Sequence, residues 1–124
     1  MRVFVTGGTG FIGHYVVKAL LEKEHEVVIA TRHPNKVPSL RSHSKVSFVE
    51  ASLTDFDKMA DALVGCDACI HIALGWGDTP STMLANDTRA TVMLLENAAK
   101  AGCKKLFTPA VPRQWAVCAP RCAK

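Results

Sequence analysis

A short buried strand that runs straight into three glycines and a helix is the feature that most constrains what this chain can fold into. Residues 2–6, Arg-Val-Phe-Val-Thr, read as the strand, and Gly7, Gly10 and Gly13 follow it at three-residue spacing. The helix then runs from Phe11 to about Lys23, with Val16, Val17, Leu20 and Leu21 on one face. Such a turn gathers unpaired backbone amides and the positive end of a helix dipole in a place with little side-chain bulk. A pyrophosphate fits there. Gly7 allows the tight turn, Gly10 lets phosphates approach the backbone, and Gly13 lets the helix pack close to the sheet. Thr9, Phe11 and Ile12 complete the expected contact set. The bland alternative is a glycine turn with no ligand. A P-loop is excluded, because no Lys-Ser/Thr pair ends the motif.

The rest of the chain alternates strand and helix. Val27 to Ala30 is a second strand, joined to the first helix only by Glu24-His25-Glu26, so the helix must cross back and make a parallel pair. Pro34 and Pro38 leave room for a short helical turn before the third strand, Val46 to Val49. Thr54 or Asp55 can cap a helix to about Leu63, with Phe56, Met59, Ala60 and Leu63 buried and Gly65 ending it. Ala68 to Ala73 is the fourth strand. A long helix follows Pro80 and closes at Gly102, and Lys105 to Thr108 is the fifth strand. This order predicts an α/β fold, a Rossmann-type doubly wound parallel sheet of five strands in the order 3-2-1-4-5, with its ligand across the C-terminal strand ends. There is no internal repeat.

Composition narrows the function classes. Hydrophobic residues make up 48% and charged residues 21% of the 124, the balance of an ordinary globular domain rather than a disordered chain. No apolar run reaches the roughly 18 residues a membrane span needs, and the N-terminus enters a strand without a charged region and cleavage site. The expectation is a cytoplasmic protein without a membrane partner. The net charge of +4 is scattered, apart from a tail with no Asp or Glu after Glu96, and does not predict nucleic-acid binding. Five cysteines, an odd number, suit a reducing compartment. Cys66 and Cys69 have the spacing of a redox or zinc pair, but they span the start of an apolar strand and read as small buried side chains. No metal site is expected.

The segment Thr6-Gly7-Gly8-Thr9-Gly10-Phe11-Ile12-Gly13 resembles the signature of the extended short-chain dehydrogenase/reductase family, the NAD-dependent epimerase/dehydratase type. The resemblance continues through Leu53-Thr54-Asp55, Gly65-Cys66-Asp67, His71-Ile72-Ala73 and the stretch from Leu94 to Gly102, and so covers about residues 1–108. It implies a dinucleotide cofactor. A member specific for NAD would carry an acidic residue after the second strand, whereas this chain has none from Val27 to Lys36 and has Thr31-Arg32-His33 instead. A guanidinium at Arg32 can pair with a 2′-phosphate, which favours NADP(H) over NAD(H). The alternative is a solvated surface arginine. The resemblance also implies Ser52 and Leu53 against the adenine, and Ala73 and Leu74, with Gly75, beside the pyrophosphate and nicotinamide ribose. His33 and His71 are the histidines nearest this site, and neither is read as a catalyst.

Catalysis in this family depends, by resemblance, on a Ser or Thr after the fifth strand and on Tyr-x-x-x-Lys in the next helix. The one tyrosine here is Tyr15, in the first helix, with Ala19 four residues on, so no catalytic residue is assigned. The resemblance stops at Pro109. With suitable codons, restoring one base after Thr108 yields Ser-Ser-Ser-Ser-Ala-Ala-Val and a family-like continuation, so residues 109–124 are either a frame-shifted tail or a genuine divergent end. The expected organisation is a half-domain over 1–108, truncated before the substrate-binding region, and an irregular tail over 109–124. Asp87 stands where many members have an active-site Asn. Asn86 is one residue early, a step of about 100° on an α-helix, and is not expected to replace it. The function expected is that of an NADP(H)-binding fragment of an epimerase, dehydratase or reductase, without turnover of its own. A non-catalytic NADP(H)-sensing module is the alternative, and the helix spanning about 81–101 is a candidate homodimer face.

Overall fold

A computed structural model of the chain describes residues 1–75 and 78–108. The elements in chain order are β1 (Arg2–Thr6), α1 (Phe11–Glu22), β2 (Glu26–Thr31), α2 (Pro38–Arg41), β3 (Val46–Glu50), α3 (Phe56–Leu63), β4 (Ala68–His71), α4 (Pro80–Met83), a π-helical segment (Leu84–Arg89), α5 (Ala90–Lys100) and β5 (Lys105–Phe107). The five strands form one sheet in the order β3-β2-β1-β4-β5, every pair parallel. This is the predicted topology. The tail from Pro109, with the frame-slip reading attached to it, lies outside the described residues.

Alternation along the inner strands divides the core into two layers. Phe4, Val28, Ala30 and Cys69 face Met59 and Leu63 of α3 and Leu94 and Ala98 of α5. Val3, Val5, Val27, Ile29 and Ala68 face Val17 of α1 and Leu40 of α2. Because Thr6 has the parity of Phe4, and His71 that of Cys69, both turn toward the α5 layer, and the register sets them side by side. A polar pair is thereby buried at the mouth of the sheet.

Two expected elements differ. The fourth strand stops at His71 rather than Ala73, because the Ile72 and Ala73 amides turn to the Thr6 side-chain hydroxyl at 3.2 and 3.3 Å. The long helix after Pro80 is interrupted by the π-helical turn over Leu84–Arg89. There the chain after β4 presses on the helix: Gly75 lies so close to the Asn86 carbonyl that a Cβ on it would collide, and the Gly75 amide donates to the Asp87 carboxylate at 3.2 Å. Neither Thr54 nor Asp55 caps α3 through its side chain; the Asp55 carboxylate instead accepts the Ser52 amide at 2.8 Å. Phe56 and Ala60, expected to be buried, are half-buried, while Met59 and Leu63 are fully buried.

Leu63 ties α3 to the sheet. Leu63→Ala should cost about 2–5 kcal/mol by loss of transfer energy and cavity formation, read as a lower urea midpoint at unchanged slope. A loss below about 1 kcal/mol would mean that the layer relaxes around the gap.

Candidate cofactor cleft

The glycine turn is shaped by backbone contacts that exclude side chains. Gly7 has φ +73°, a left-handed conformation, and a Cβ on it would lie 2.7 Å from the Ala73 nitrogen. A Cβ on Gly13 would collide with the Gly7 carbonyl oxygen, so α1 meets the turn with backbone against backbone. Gly10 differs from both. A Cβ there meets only the Gly7 oxygen, at 3.3 Å, and otherwise projects into a cleft that Gly10 lines. Gly10 is the N-cap of α1 and makes no side-chain cap, and the first turn of the helix has no acidic residue. The dipole end and first-turn amides are therefore left for an external anion.

The cleft is about 610 Å³ and lies across the C-terminal ends of β1, β2, β3 and β4. Gly7, Thr9 and Gly10 form its floor; Thr31, Arg32, His33 and Lys36 come from the end of β2; Ser52, Leu53 and Thr54 follow β3; Ala73, Leu74 and Gly75 follow β4. Of the expected contact residues, Gly7, Thr9, Gly10, Arg32, Ser52, Leu53, Ala73 and Leu74 are thus brought together. Phe11, Ile12 and Gly13 do not line it. The side chains of Phe11 and Ile12 point to solvent, at 83% and 59% exposure, and only their backbone amides, at the first turn, are placed to serve a ligand. The Ser52 hydroxyl is engaged with Thr54, accepting its amide at 3.1 Å and lying 2.7 Å from its hydroxyl.

The lining carries Arg32, His33 and Lys36 and, among the described residues, no Asp or Glu. The Thr31 side chain organises this rim: its hydroxyl accepts the His33 amide at 3.1 Å, turning the chain sharply after β2 so that Arg32 stands exposed. Lys36 was missed as a lining residue, since nothing in the spacing of Pro34 and Pro38 shows which way the intervening turn folds. Asn86, one residue before the position of the family's Asn, is placed differently from Asp87. It lines the cleft, while Asp87, at the position of the family's Asn, is turned to the Gly75 amide. The rule of about 100° per residue presupposes an α-helix, and both residues lie in the π-helical turn, which carries an extra residue per turn.

His71 is buried and hydrogen-bonded at both nitrogens, Nδ1 to the Thr6 hydroxyl at 2.6 Å and Nε2 to the Thr91 hydroxyl at 2.9 Å. It is a packed residue rather than a proton donor facing the cleft. The cysteine pair is buried as expected. Burial pushes the Cys69 thiol up to about 12 and that of Cys66 upward as well, which leaves both inert. Among the described residues no group of three potential ligands could hold a metal, and no helix is long and apolar enough to cross a membrane.

Two predictions follow from this geometry. Gly10→Val should keep the fold, with far-UV circular dichroism unchanged, and lose dinucleotide binding by calorimetry, whereas Gly13→Ala should lower the melting temperature; equal melting in the two variants would contradict the packing described. Burial also lowers the His71 pKa below the ordinary 6.5, against the opposing pull of Asp87. The unfolded ring therefore takes up its proton at higher pH than the folded one, and the stability present above about pH 6.5 is lost as pH falls through the folded value. Urea midpoints at pH 7.5 and 5.5 should show that loss, and a His71→Asn variant should show less of it.

Known proteins bear the same features. A family model described as NAD(P)H-binding matches residues 7–110. Cinnamoyl-CoA reductase 2 of Arabidopsis thaliana is 31% identical over 116 residues, 88% of this chain and 35% of that protein. A short-chain dehydrogenase/reductase superfamily protein of Agrobacterium tumefaciens, solved with bound NAD, superposes with a TM-score of 0.71 at 27% identity, over 87% of this chain and 32% of the other. The dTDP-glucose 4,6-dehydratase DesIV of Streptomyces venezuelae superposes with a TM-score of 0.72 at 27% identity, over 86% and 38%. The chain spans about a third of the length of these relatives. With the glycine turn, the sheet order and the family match in agreement, the chain belongs to the NAD(P)H-binding family of the short-chain dehydrogenase/reductase superfamily.

Proposed function

We propose that this chain binds NADP(H) in preference to NAD(H), and that by itself it holds the cofactor without turning a substrate over. The observation that carries the preference is the rim after β2, where Arg32, His33 and Lys36 line the cleft and no carboxylate stands. A dinucleotide laid across the strand ends would place its pyrophosphate at the first-turn amides of α1 and its adenine beside Ser52 and Leu53. The 2′-phosphate of NADP(H) would then meet the cationic rim. Arg32 supplies a planar, permanently charged fork for it, and Lys36 a second point charge. Ala73, Leu74 and Asn86 would flank the opposite half of the cofactor. The chain fits the group, since the Gly10 position is a cradle that a side chain would fill.

The absence of turnover is read from the side chains present. Transfer of a hydride to a carbonyl needs a proton supplied at the oxygen, which acid–base help accelerates by roughly 10²–10⁴-fold. The single tyrosine, Tyr15, lies on α1, and His71 is enclosed by Thr6 and Thr91. In its family context the chain is an NADP(H)-binding portion of an epimerase, dehydratase or reductase. The second reading, a redox-sensing module that takes a protein partner, is favoured by the same pairing of a formed cleft with a lining that, among the described residues, holds no tyrosine. A homodimer through the stretch 81–101 is proposed from the exposed Met83, Leu84 and Val92 along it.

Titration with NADP+ and NAD+ should show tighter binding of NADP+, and Arg32→Asp should reverse the order. Equal affinities in the unaltered chain would sink the assignment. Purified protein should not oxidise NADPH with carbonyl substrates; a rate that Arg32→Asp reduces would overturn the reading of a binding unit.

A further inference from the structure

Beneath the cleft lies a buried polar chain that the binding residues do not use directly. Thr6 and His71 are neighbours across β1 and β4, both buried, and the Thr6 hydroxyl lies 2.6 Å from Nδ1 of His71. The same hydroxyl oxygen accepts the amides of Ile72 at 3.2 Å and Ala73 at 3.3 Å. A hydroxyl has two lone pairs and one proton. Since both amides can only donate, they take the lone pairs, and the hydroxyl proton must go to Nδ1. His71 is thereby fixed as the neutral ring with its proton on Nε2, which donates to Thr91 at 2.9 Å.

We propose that His71 is a positioning residue for cofactor binding: by accepting the Thr6 hydroxyl proton it aims that oxygen at the Ile72 and Ala73 amides and so holds the end of β4 against the glycine turn. The inference rests on the reading of the cleft as the NADP(H) site. The contact it maintains is close, because the Ala73 nitrogen stands where a Cβ on Gly7 would be only 2.7 Å away, and Ala73 and Gly7 both line the cleft. A proton added at Nδ1 would bring three donors to an oxygen with two lone pairs and leave the hydroxyl proton without its acceptor. Ile72 has a second acceptor, the Thr6 carbonyl at 3.2 Å, and can give up the hydroxyl at little cost, so what the added proton displaces is the hydroxyl's own proton, which must turn from Nδ1 toward the two amides. The hold of Thr6 on the end of β4 is then weakened, and cofactor binding and protonation of His71 oppose each other.

The groups that face the ring set the direction. From β1 it meets Thr6 and from α5 Thr91, both uncharged; from the π-helical turn the Asp87 carboxylate favours the protonated ring, and burial outweighs it. β5 pairs with β4 only as far as Ile70 opposite Phe107, and its Lys105 stands opposite Ala68, away from the ring. A second histidine, His33, lines the cleft itself, and a 2′-phosphate is ionisable as well, so the measurement must separate both from His71.

The test is calorimetric titration of the full chain with NADP+ between pH 7.5 and 5.5, beside His71→Asn, whose side-chain oxygen can replace the Nδ1 acceptor without titrating. His33 and the phosphate are common to both proteins. Wild-type affinity should fall more steeply with acid than that of the variant, by up to about tenfold per pH unit once below the His71 pKa. The ¹⁵N shifts of His71 should report a neutral ring protonated at Nε2. Parallel pH slopes in the two proteins, or a ring protonated at Nδ1, would overturn the inference while leaving the cofactor site standing. No NADP+ binding by wild type at pH 7.5 would overturn both. Should His71→Asn fail to fold, the ring tautomer and the protection of the Ile72 and Ala73 amides against hydrogen exchange in the wild type, high at pH 7.5 and lower in acid once the intrinsic rate is divided out, decide it alone.

Discussion

The structure depends on three backbone segments meeting where none has a side chain in the way. The Gly7 turn touches the end of β4 at Ala73 on one side and the first turn of α1 at Gly13 on the other. A methyl group at Gly7 or Gly13 would push a strand or the helix away. What the contacts enforce is a helix whose first amides are carried to the mouth of the sheet, at the switch point where the connections after β1 and β4 lead to opposite sides of the sheet order. An anion there is met by dipoles already aimed, so little ordering is left for binding to oppose. Gly10 is the one glycine of the three whose missing side chain leaves space rather than contact, and so it is the one whose cost falls on the ligand.

Charge is distributed so that this space favours one kind of guest. The buried polar groups near the cleft, Thr6, Thr31 and His71, are neutral and hydrogen-bonded, which lets them lie in the core without an unpaired charge. The full charges stand at the rim, on exposed Arg32 and Lys36, where water meets most of the cost of carrying them. A cleft with neutral walls and a cationic rim attracts a polyanion and orients it, since the permanent charges lie at one end only.

How much of this the chain discloses depends on the range of the interactions involved. The strands, the helices and their order were legible because apolar periodicity and glycine placement are local, and a parallel sheet with short crossovers admits few orders. The glycine roles could be assigned for the same reason. The side chains of Phe11 and Ile12 could not be told from their amides, because a motif names positions and not the atoms that act. The π-helical turn was hidden, since it accompanies the close approach of Gly75 to Asn86, eleven residues away in sequence, a contact that local propensity does not encode. The Thr6 and His71 pairing was half visible. Strand parity puts each on a predictable face, but which residues stand opposite needs the register of β1 against β4.

The physical separation between the cleft and the far edge of the sheet bears on what the chain can do by itself. Every described lining residue lies between Gly7 and Asn86, on the end of β2, the loops after β1 to β4, α3 and the π-helical turn. β5 contributes none. It is three residues long, pairs only with β4, and leaves Leu106 and Phe107 largely exposed, so it is the least buried strand of the five. Local opening of so short an edge costs little and reaches the cleft only through β4. β4 in turn is anchored by β1 on its other side and by the Thr6, His71 and Thr91 chain at its end. The dinucleotide cleft is thus built on the better-buried half of the sheet, and its shape is set by residues that do not depend on how the edge beyond β5 is covered.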